Sequence, residues 1–319
     1  CGRLKSGTEG VQIVVEASVT NIGDRAGKEV VQLYYSAPQG KLGKPARVLG
    51  AFAKTRCLQP GETQQITLRL AADSMASYDD TGKIRKSAYV LEAGEYSFYL
   101  GNSVRNTEKV PYVYKEDTDR VVLTLRERVA PRQLARRMLA DGSFEELPVQ
   151  KEHTRETCPG FVEGNPPRKG QWAGDAAAAV RGTGAPDKKA MLIDVVNGEV
   201  TMEEFLAQLT NGELIDLLCG QPNTGVANTF GMGNLPEYGV PALMTADGPA
   251  GVRIKPGMGV CTTAWPCATL LACTWNPDLV YEIGAAGARE MKENNLGVWL
   301  TPAMNIHRSP LCGRNFEYY

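Results

Sequence analysis

Histidine is almost missing from this chain, with only His153 and His307 among 319 residues. Histidine-rich metal sites are thereby excluded, and cysteine does not fill the gap. Of the eight cysteines, Cys261, Cys267 and Cys273 are evenly spaced, whereas structural zinc pairs its ligands two to four residues apart. No metal and no other cofactor is expected, and scattered thiols in a chain of this size read as buried groups in a reducing compartment. An excess of one charge is lacking too. Lysine plus arginine number 35 against 36 for aspartate plus glutamate, so no overall field draws in nucleic acid or an anionic membrane. No apolar run reaches the roughly 18 to 20 residues of a membrane span, and no basic stretch precedes an apolar one at the N-terminus. The expected location is cytoplasmic, although the first residue, Cys1, is not a methionine and export stays open.

What is present is ordinary globular composition, 43% hydrophobic and 22% charged, with room for about two domains. Residues 11 to about 115 read as strands. Val11, Ile13, Val15, Ala17 and Val19 alternate at period two, "NIGDRAG" supplies a turn, and Val30 to Tyr35 form a second apolar run. "LQPGET" and "EAGEYSFYLGNS" place further turns before Ile66, Leu68 and Leu70 and before Tyr96, Phe98 and Leu100. Short strands with regular turn signals predict a β-sandwich over 1–117. A connector is expected over 118–190, where "RERVAPRQLARRMLADG" reads as a short basic helix and a glycine-, proline- and alanine-rich stretch follows without periodicity.

Order returns at "TMEEFLAQLTNGELIDLLCG", where Thr201 and Glu204 fit a capping box opening a helix with Phe205, Leu206 and Leu209 on one face. A short strand is predicted at Ala242 to Ala246. Next comes a helix capped by Asn276, with Pro277 at its first position and Asp278 in its first turn, and then the buried-type strand "GVWLTP". Strands alternating with helices predict a parallel α/β arrangement over 191–319. Two polar clusters follow the strand ends, "DGPAGVR" (Asp247 to Arg253) and "MNIHRSPLCGRNFE" (Met304 to Glu317). In a β/α barrel such loops converge on one face, where Asp247 can accept from adjacent sugar hydroxyls while the fork of Arg314 donates to others. Plainer uses stay open at this level: Asp247 as a turn former, Arg253 as a surface charge, Arg314 with Glu317 as a local ion pair. Gly248 and Gly251 lack the lysine and serine or threonine of a phosphate loop, and one histidine beside an arginine, His307, is thin support for a general base.

These segments carry a resemblance. "LPEYGVPALMTADGPAGVR", "TAWPCATLLACTWNPDLVYEIGAAGAREMK" and "GVWLTPAMNIHRSPLCGRNFEYY" resemble the first part of the catalytic barrel of glycoside hydrolase family 3, the β-glucosidase family. "VTNIGDRAGKEVVQLYYSAP", "LGAFAKTRCLQPGET" and "LEAGEYSFYLGNS" resemble its fibronectin type III-like domain. Here that domain precedes the barrel segment, as in members with permuted order. The resemblance implies a multidomain chain: a fibronectin type III-like β-sandwich, a linker, and about three strands of an incomplete (β/α)8 TIM-like barrel over 191–319. An α/β sandwich is expected upstream, the rest of the barrel downstream, and the bacterial cytoplasm as the setting.

The implied activity is retaining hydrolysis of terminal β-D-glucosides, which uses a nucleophilic carboxylate and an acid/base carboxylate about 5 to 5.5 Å apart. By the family pattern the nucleophilic aspartate, the acid/base glutamate and a Lys-His pair all fall outside this segment, so no catalytic residue is expected within it. Sugar binding carries over: Asp247 matches the family's hydroxyl-binding aspartate, Arg314 the arginine of its "GR" motif, Arg253 is a weaker candidate, and Glu317 is placed behind Arg314, orienting it. The short "DGPAGVR" form resembles the β-glucosidase branch, since xylosidase-like members have a glutamate and a histidine there. The rival readings are a non-catalytic carbohydrate-binding or scaffolding fragment, a β-xylosidase or N-acetylglucosaminidase of the same family, and a phosphate-binding loop. The partners expected are a β-glucoside or oligosaccharide and the remaining domains, with an oligomer open. It follows that these 319 residues alone should not turn over an aryl β-glucoside; turnover above that of an Asp247→Ala control would contradict the placement of both reacting carboxylates outside them.

Overall fold

A computed structural model describes residues 2–7, 10–125, 134–139, 141–147, 189–307 and 309–319. His153, the start of the expected basic helix and most of the expected linker lie outside them. The chain divides into two compact units, Cys1–Phe161 and Val162–Tyr319. It is multidomain and rich in β-structure.

The first unit holds twelve strands among its described residues: β1 (Gly2–Gly7), β2 (Gly10–Thr20), β3 (Val30–Ser36), β4 (Val48–Lys54), β5 (Thr63–Ala71), β6 (Ser77–Asp79), β7 (Ala88–Leu91), β8 (Gly94–Ser103), β9 (Asn106–Glu116), β10 (Arg120–Thr124), β11 (Arg136–Met138) and β12 (Phe144–Glu146). Pairing gives sheets in the orders β1-β2-β5, β4-β3-β8-β9 and β10-β7-β6, with β11 and β12 as a separate hairpin. Alternation explains the core. Ile13 and Val15, Val31, Leu33 and Tyr35, Ile66, Leu68 and Leu70, and Tyr96 and Phe98 all point into one buried cluster, as period-two strands with one packed face must.

Two expectations are corrected here. The basic stretch around 136–138 is a strand, not a helix, because its arginines find cross-strand and loop carboxylates: Arg137 bonds Glu145 and also Asp80 (2.9 Å), while Glu145 takes Lys83. The linker expected over 118–190 accordingly opens with structured chain, since β10 pairs with β7 of the sandwich.

Glu92, Lys44 and Asp79 of this unit are buried and engaged. Glu92, paired with buried Lys44, also accepts from the backbone N–H of Lys41 (2.5 Å) and Leu42 (3.1 Å), and Lys44 donates to the Pro38 carbonyl (2.7 Å). Tyr96, beneath them, donates its hydroxyl to the Glu92 carbonyl at 3.1 Å. Asp79, with no exposed surface, receives four backbone N–H groups, from Gly82, Lys83, Ile84 and Arg85, at 2.7 to 3.0 Å.

The second unit contains α1 (Leu192–Val196), α2 (Met202–Ala207), α3 (Asn211–Leu218), β13 (Thr229–Leu235), β14 (Val240–Ala246), α4 (Ala268–Cys273), α5 (Pro277–Glu293) and β15 (Val298–Trp299). The helix expected from Thr201 is two helices. Thr201 and Glu204 cap the first reciprocally, and a second capping box, Thr210 with Glu213, restarts the chain after Ala207. Asn276 caps α5 and Pro277 opens it, as predicted. The strand predicted at Ala242 starts earlier, at Val240, and β15 is only two residues long. The sheet, β13-β14-β15, is mixed rather than parallel throughout: β14 and β15 are parallel, but β13 runs antiparallel to β14. Ala246, Val252, Met291 and Leu296 form the buried cluster beneath it, with Trp299 packed on them.

Asp79 yields a test. Burial raises its pKa, but the four N–H donors together outweigh that and hold the carboxyl below its ordinary value. A depressed folded-state pKa stabilises above the unfolded value of about 3.9 and is lost as pH falls through the folded value. Asp79→Asn sets an amide NH2 against N–H donors, and should cost about 3 kcal/mol at pH 7 in urea unfolding, shrinking below about pH 3.9. A pH-independent loss would contradict the ionised carboxylate.

Candidate functional site

The site grows from the end of β14, where Asp247 is the first residue beyond the strand and the chain must turn at once. Its backbone N–H donates to Asn228 Oδ1 at 2.9 Å, and its carbonyl accepts from Arg253 N at 2.9 Å, closing the loop Asp247 to Arg253. Two glycines make that loop possible. At Gly248 (φ +109°) a Cβ would stand 2.0 Å from the Gly251 carbonyl oxygen, and at Gly251 (φ +138°) it would stand 2.4 Å from that of Thr263. Trp299 of β15 donates its indole N–H to the Gly248 carbonyl at 2.9 Å, tying the loop to the neighbouring strand.

On this frame the side chains are half in solvent. Arg253 Nη1 lies 2.6 Å from Asp247 Oδ2, with Arg253 60% and Asp247 41% exposed. The second cluster follows β15. Arg314 begins a short turn, Asn315–Glu317, and its Nε bonds Glu317, which is buried while the arginine is 71% exposed. The bonded Glu317 carboxylate first, and Tyr318 and Asp247 by their fields, hold the Arg314 guanidinium above its ordinary value. Asp247 is the weakest of these contributions, and each arginine is paired with one acid, Arg253 with Asp247 and Arg314 with Glu317.

That arrangement can bind a neutral polyol. Asp247 has an oxygen, Oδ1, with no bond to Arg253, and both guanidinium groups keep outward N–H donors, so acceptor and donors stand ready for vicinal hydroxyls. It is poorly suited to acid/base work by Asp247 and Glu317 as a pair, since each carboxylate is already bonded to an arginine. His307 is engaged with Tyr318, its Nε2 3.2 Å from that residue's carbonyl and its ring edge-on to the tyrosine ring. The plainer expectation for Arg314 and Glu317, a local ion pair, and the functional one are the same geometry. Asn228, Trp299 and Thr269, which hold these loops, had no sequence signal beyond their polar or aromatic type. The cysteines expected to be buried are not: of the six described, all free thiols, Cys57, Cys219, Cys261, Cys273 and Cys312 are exposed and Cys267 is half-buried, and among the described residues no group of three or more histidine, cysteine or acidic side chains gathers for a metal.

Residues 29–104 match the family described as the fibronectin type III-like domain. The chain is 55% identical over 96% of its length to β-glucosidase A of Butyrivibrio fibrisolvens, and 38% identical over 96% to a β-glucosidase of Ruminococcus albus. A solved β-glucosidase from Paenibacillus barengoltzii superposes over the whole chain with a TM-score of 0.76 at 38% identity. Over nearly its whole length the chain resembles the β-glucosidases of glycoside hydrolase family 3. It spans 38%, 32% and 35% of the lengths of these three proteins, and each match runs through both units in the same order, fibronectin-like part first. The chain therefore carries its fibronectin-like part ahead of the segment bearing Asp247.

The glycine requirement sets the prediction for this site. Gly251→Ala places a methyl against the Thr263 backbone in a left-handed conformation, and should destabilise the second unit by at least about 2 kcal/mol in urea unfolding. Wild-type stability would mean the loop is not held as described.

Proposed function

We propose that this chain is a segment of a retaining β-glucosidase hydrolysing terminal β-D-glucosides, to which it contributes part of the glucose-binding subsite. The observation that carries the reading is 55% identity over 96% of the chain to a protein named β-glucosidase A. Asp247 accepts from two adjacent hydroxyls of the sugar at the cleavage site, and Arg314 and, more weakly, Arg253 donate to others. Glu317 orients Arg314. Binding energy of this kind, placed away from the scissile bond, positions the anomeric carbon for attack.

On the same reading β14, α5 and β15 open a (β/α)8 barrel, because two parallel strands joined through a helix are its repeating unit, with β13 a lead-in strand. The remaining barrel and an α/β sandwich of the same protein supply the nucleophilic aspartate and the acid/base glutamate, and cover apolar surface. Exposed Leu243, Leu300, Met304, Ile306 and Phe316 support that, being unusual company for water in one small unit. A cytoplasmic location belongs to the proposal and is supported by the six free cysteines among the described residues.

The polypeptide carrying this chain should release β-glucose first from an aryl β-glucoside, as followed by NMR, and Asp247→Ala should lower kcat/KM about a hundredfold or more, as expected for losing two hydrogen bonds to a charged acceptor. Release of α-glucose first, faster turnover of a β-xyloside or N-acetylglucosaminide, or an Asp247→Ala enzyme of full activity would each overturn the reading.

A further inference from the structure

Arg314 and Glu317 sit on a segment with little regular structure of its own, since from Leu300 onward its one described element is the three-residue turn Asn315–Glu317. Part of what holds it is internal: Asn315 Nδ2 donates to the Ser309 carbonyl at 2.7 Å, and Tyr319 N to the Ala303 carbonyl at 3.2 Å. A different kind of tie comes from α4. The hydroxyl of Thr269, in the first turn of that helix, lies 3.1 Å from the Asn315 carbonyl oxygen, 3.4 Å from that of Phe316 and 3.0 Å from that of Tyr318, residues 46 to 49 positions further along the chain.

One hydroxyl proton serves one carbonyl at a time, but rotation about the Cβ–Oγ1 bond lets it serve any of the three without moving the backbone. The segment bracketed by those carbonyls includes Glu317, and its first residue adjoins Arg314. A tie at this point therefore fixes the direction in which the arginine fork leaves the backbone, while touching no sugar itself.

We propose that Thr269 is a positioning residue for the sugar subsite, its hydroxyl holding the Asn315–Tyr318 carbonyls and thereby the stretch that carries Glu317 and adjoins Arg314. This rests on the reading of Asp247 and Arg314 as sugar-binding groups. The methyl of threonine is incidental to the role, and the hydroxyl is essential.

The test compares Thr269→Val, which keeps the shape and removes the hydroxyl, with Thr269→Ser, which keeps the hydroxyl, both in the polypeptide that carries this chain. Thr269→Val should raise KM for an aryl β-glucoside about fivefold, the effect of one neutral hydrogen bond, with kcat within about twofold, and should speed backbone hydrogen exchange over residues 314–319; Thr269→Ser should restore both. Unchanged exchange in Thr269→Val, or a Thr269→Ser variant as impaired as Thr269→Val, overturns the proposal. If the wild-type polypeptide fails to turn over the glucoside, the sugar-site reading falls, whereas the exchange comparison still decides whether Thr269 holds the segment.

Discussion

The indole of Trp299 is the contact on which the site depends. As a residue of β15 it pairs with Ala246 at the end of β14; through its ring N–H it holds the Gly248 carbonyl; and its ring occupies the space left by Gly287 of α5, where a Cβ would come within 2.1 Å of the ring. Strand, loop and helix meet at one side chain. Within the loop after β14, Arg253 holds both the carbonyl and the carboxylate of Asp247, and Asn228 takes its N–H. Trp299 ties that loop to the neighbouring strand, and packs in turn on a helix that left out a side chain to admit it.

The two units use charge in opposite ways. In the first, Lys44 with Glu92 and Asp79 with its four N–H donors are buried and have their hydrogen bonds filled from within the fold. Breaking such a group leaves a charge or a donor stranded out of water, so these residues specify the sandwich and are unavailable to a ligand. In the second unit Asp247, Arg253 and Arg314 are exposed and only partly paired, which costs the fold little and leaves their remaining lone pairs and N–H groups for an incoming hydroxyl. Glu317 stands between the two cases, buried behind the arginine it orients.

How far this could be read in advance depended on whether the deciding contact was local. Capping boxes are local, and Thr201 with Glu204, and Asn276 with Pro277, stood out; Thr210 with Glu213 carried the same signal and was absorbed into a longer helix because the apolar pattern ran on through it. Strand alternation located β2, β3, β5 and β8. It did not locate β13, whose Gly231 and Gly233 depress strand propensity yet are needed for the close approach of β14, with the Pro241 carbonyl 2.6 Å from where a Cβ of Gly233 would lie. The strand Arg136–Met138 read as a helix because its partners, Asp80 in a distant loop and Glu145 across a hairpin, are set by tertiary contact. Asp247 and Arg314 were nameable from their loops, whereas Asn228, Trp299 and Thr269 become visible only as hydrogen-bond partners.

The most direct measurement is a crystal structure of the polypeptide carrying this chain with glucose bound. The Asp247 carboxylate should lie within about 3 Å of two adjacent sugar hydroxyls, with the Arg314 guanidinium donating to the same ring and Glu317 still bonded to it. Glucose bound elsewhere, with Asp247 bonded only to Arg253 and Arg314 turned away from the sugar, would contradict it.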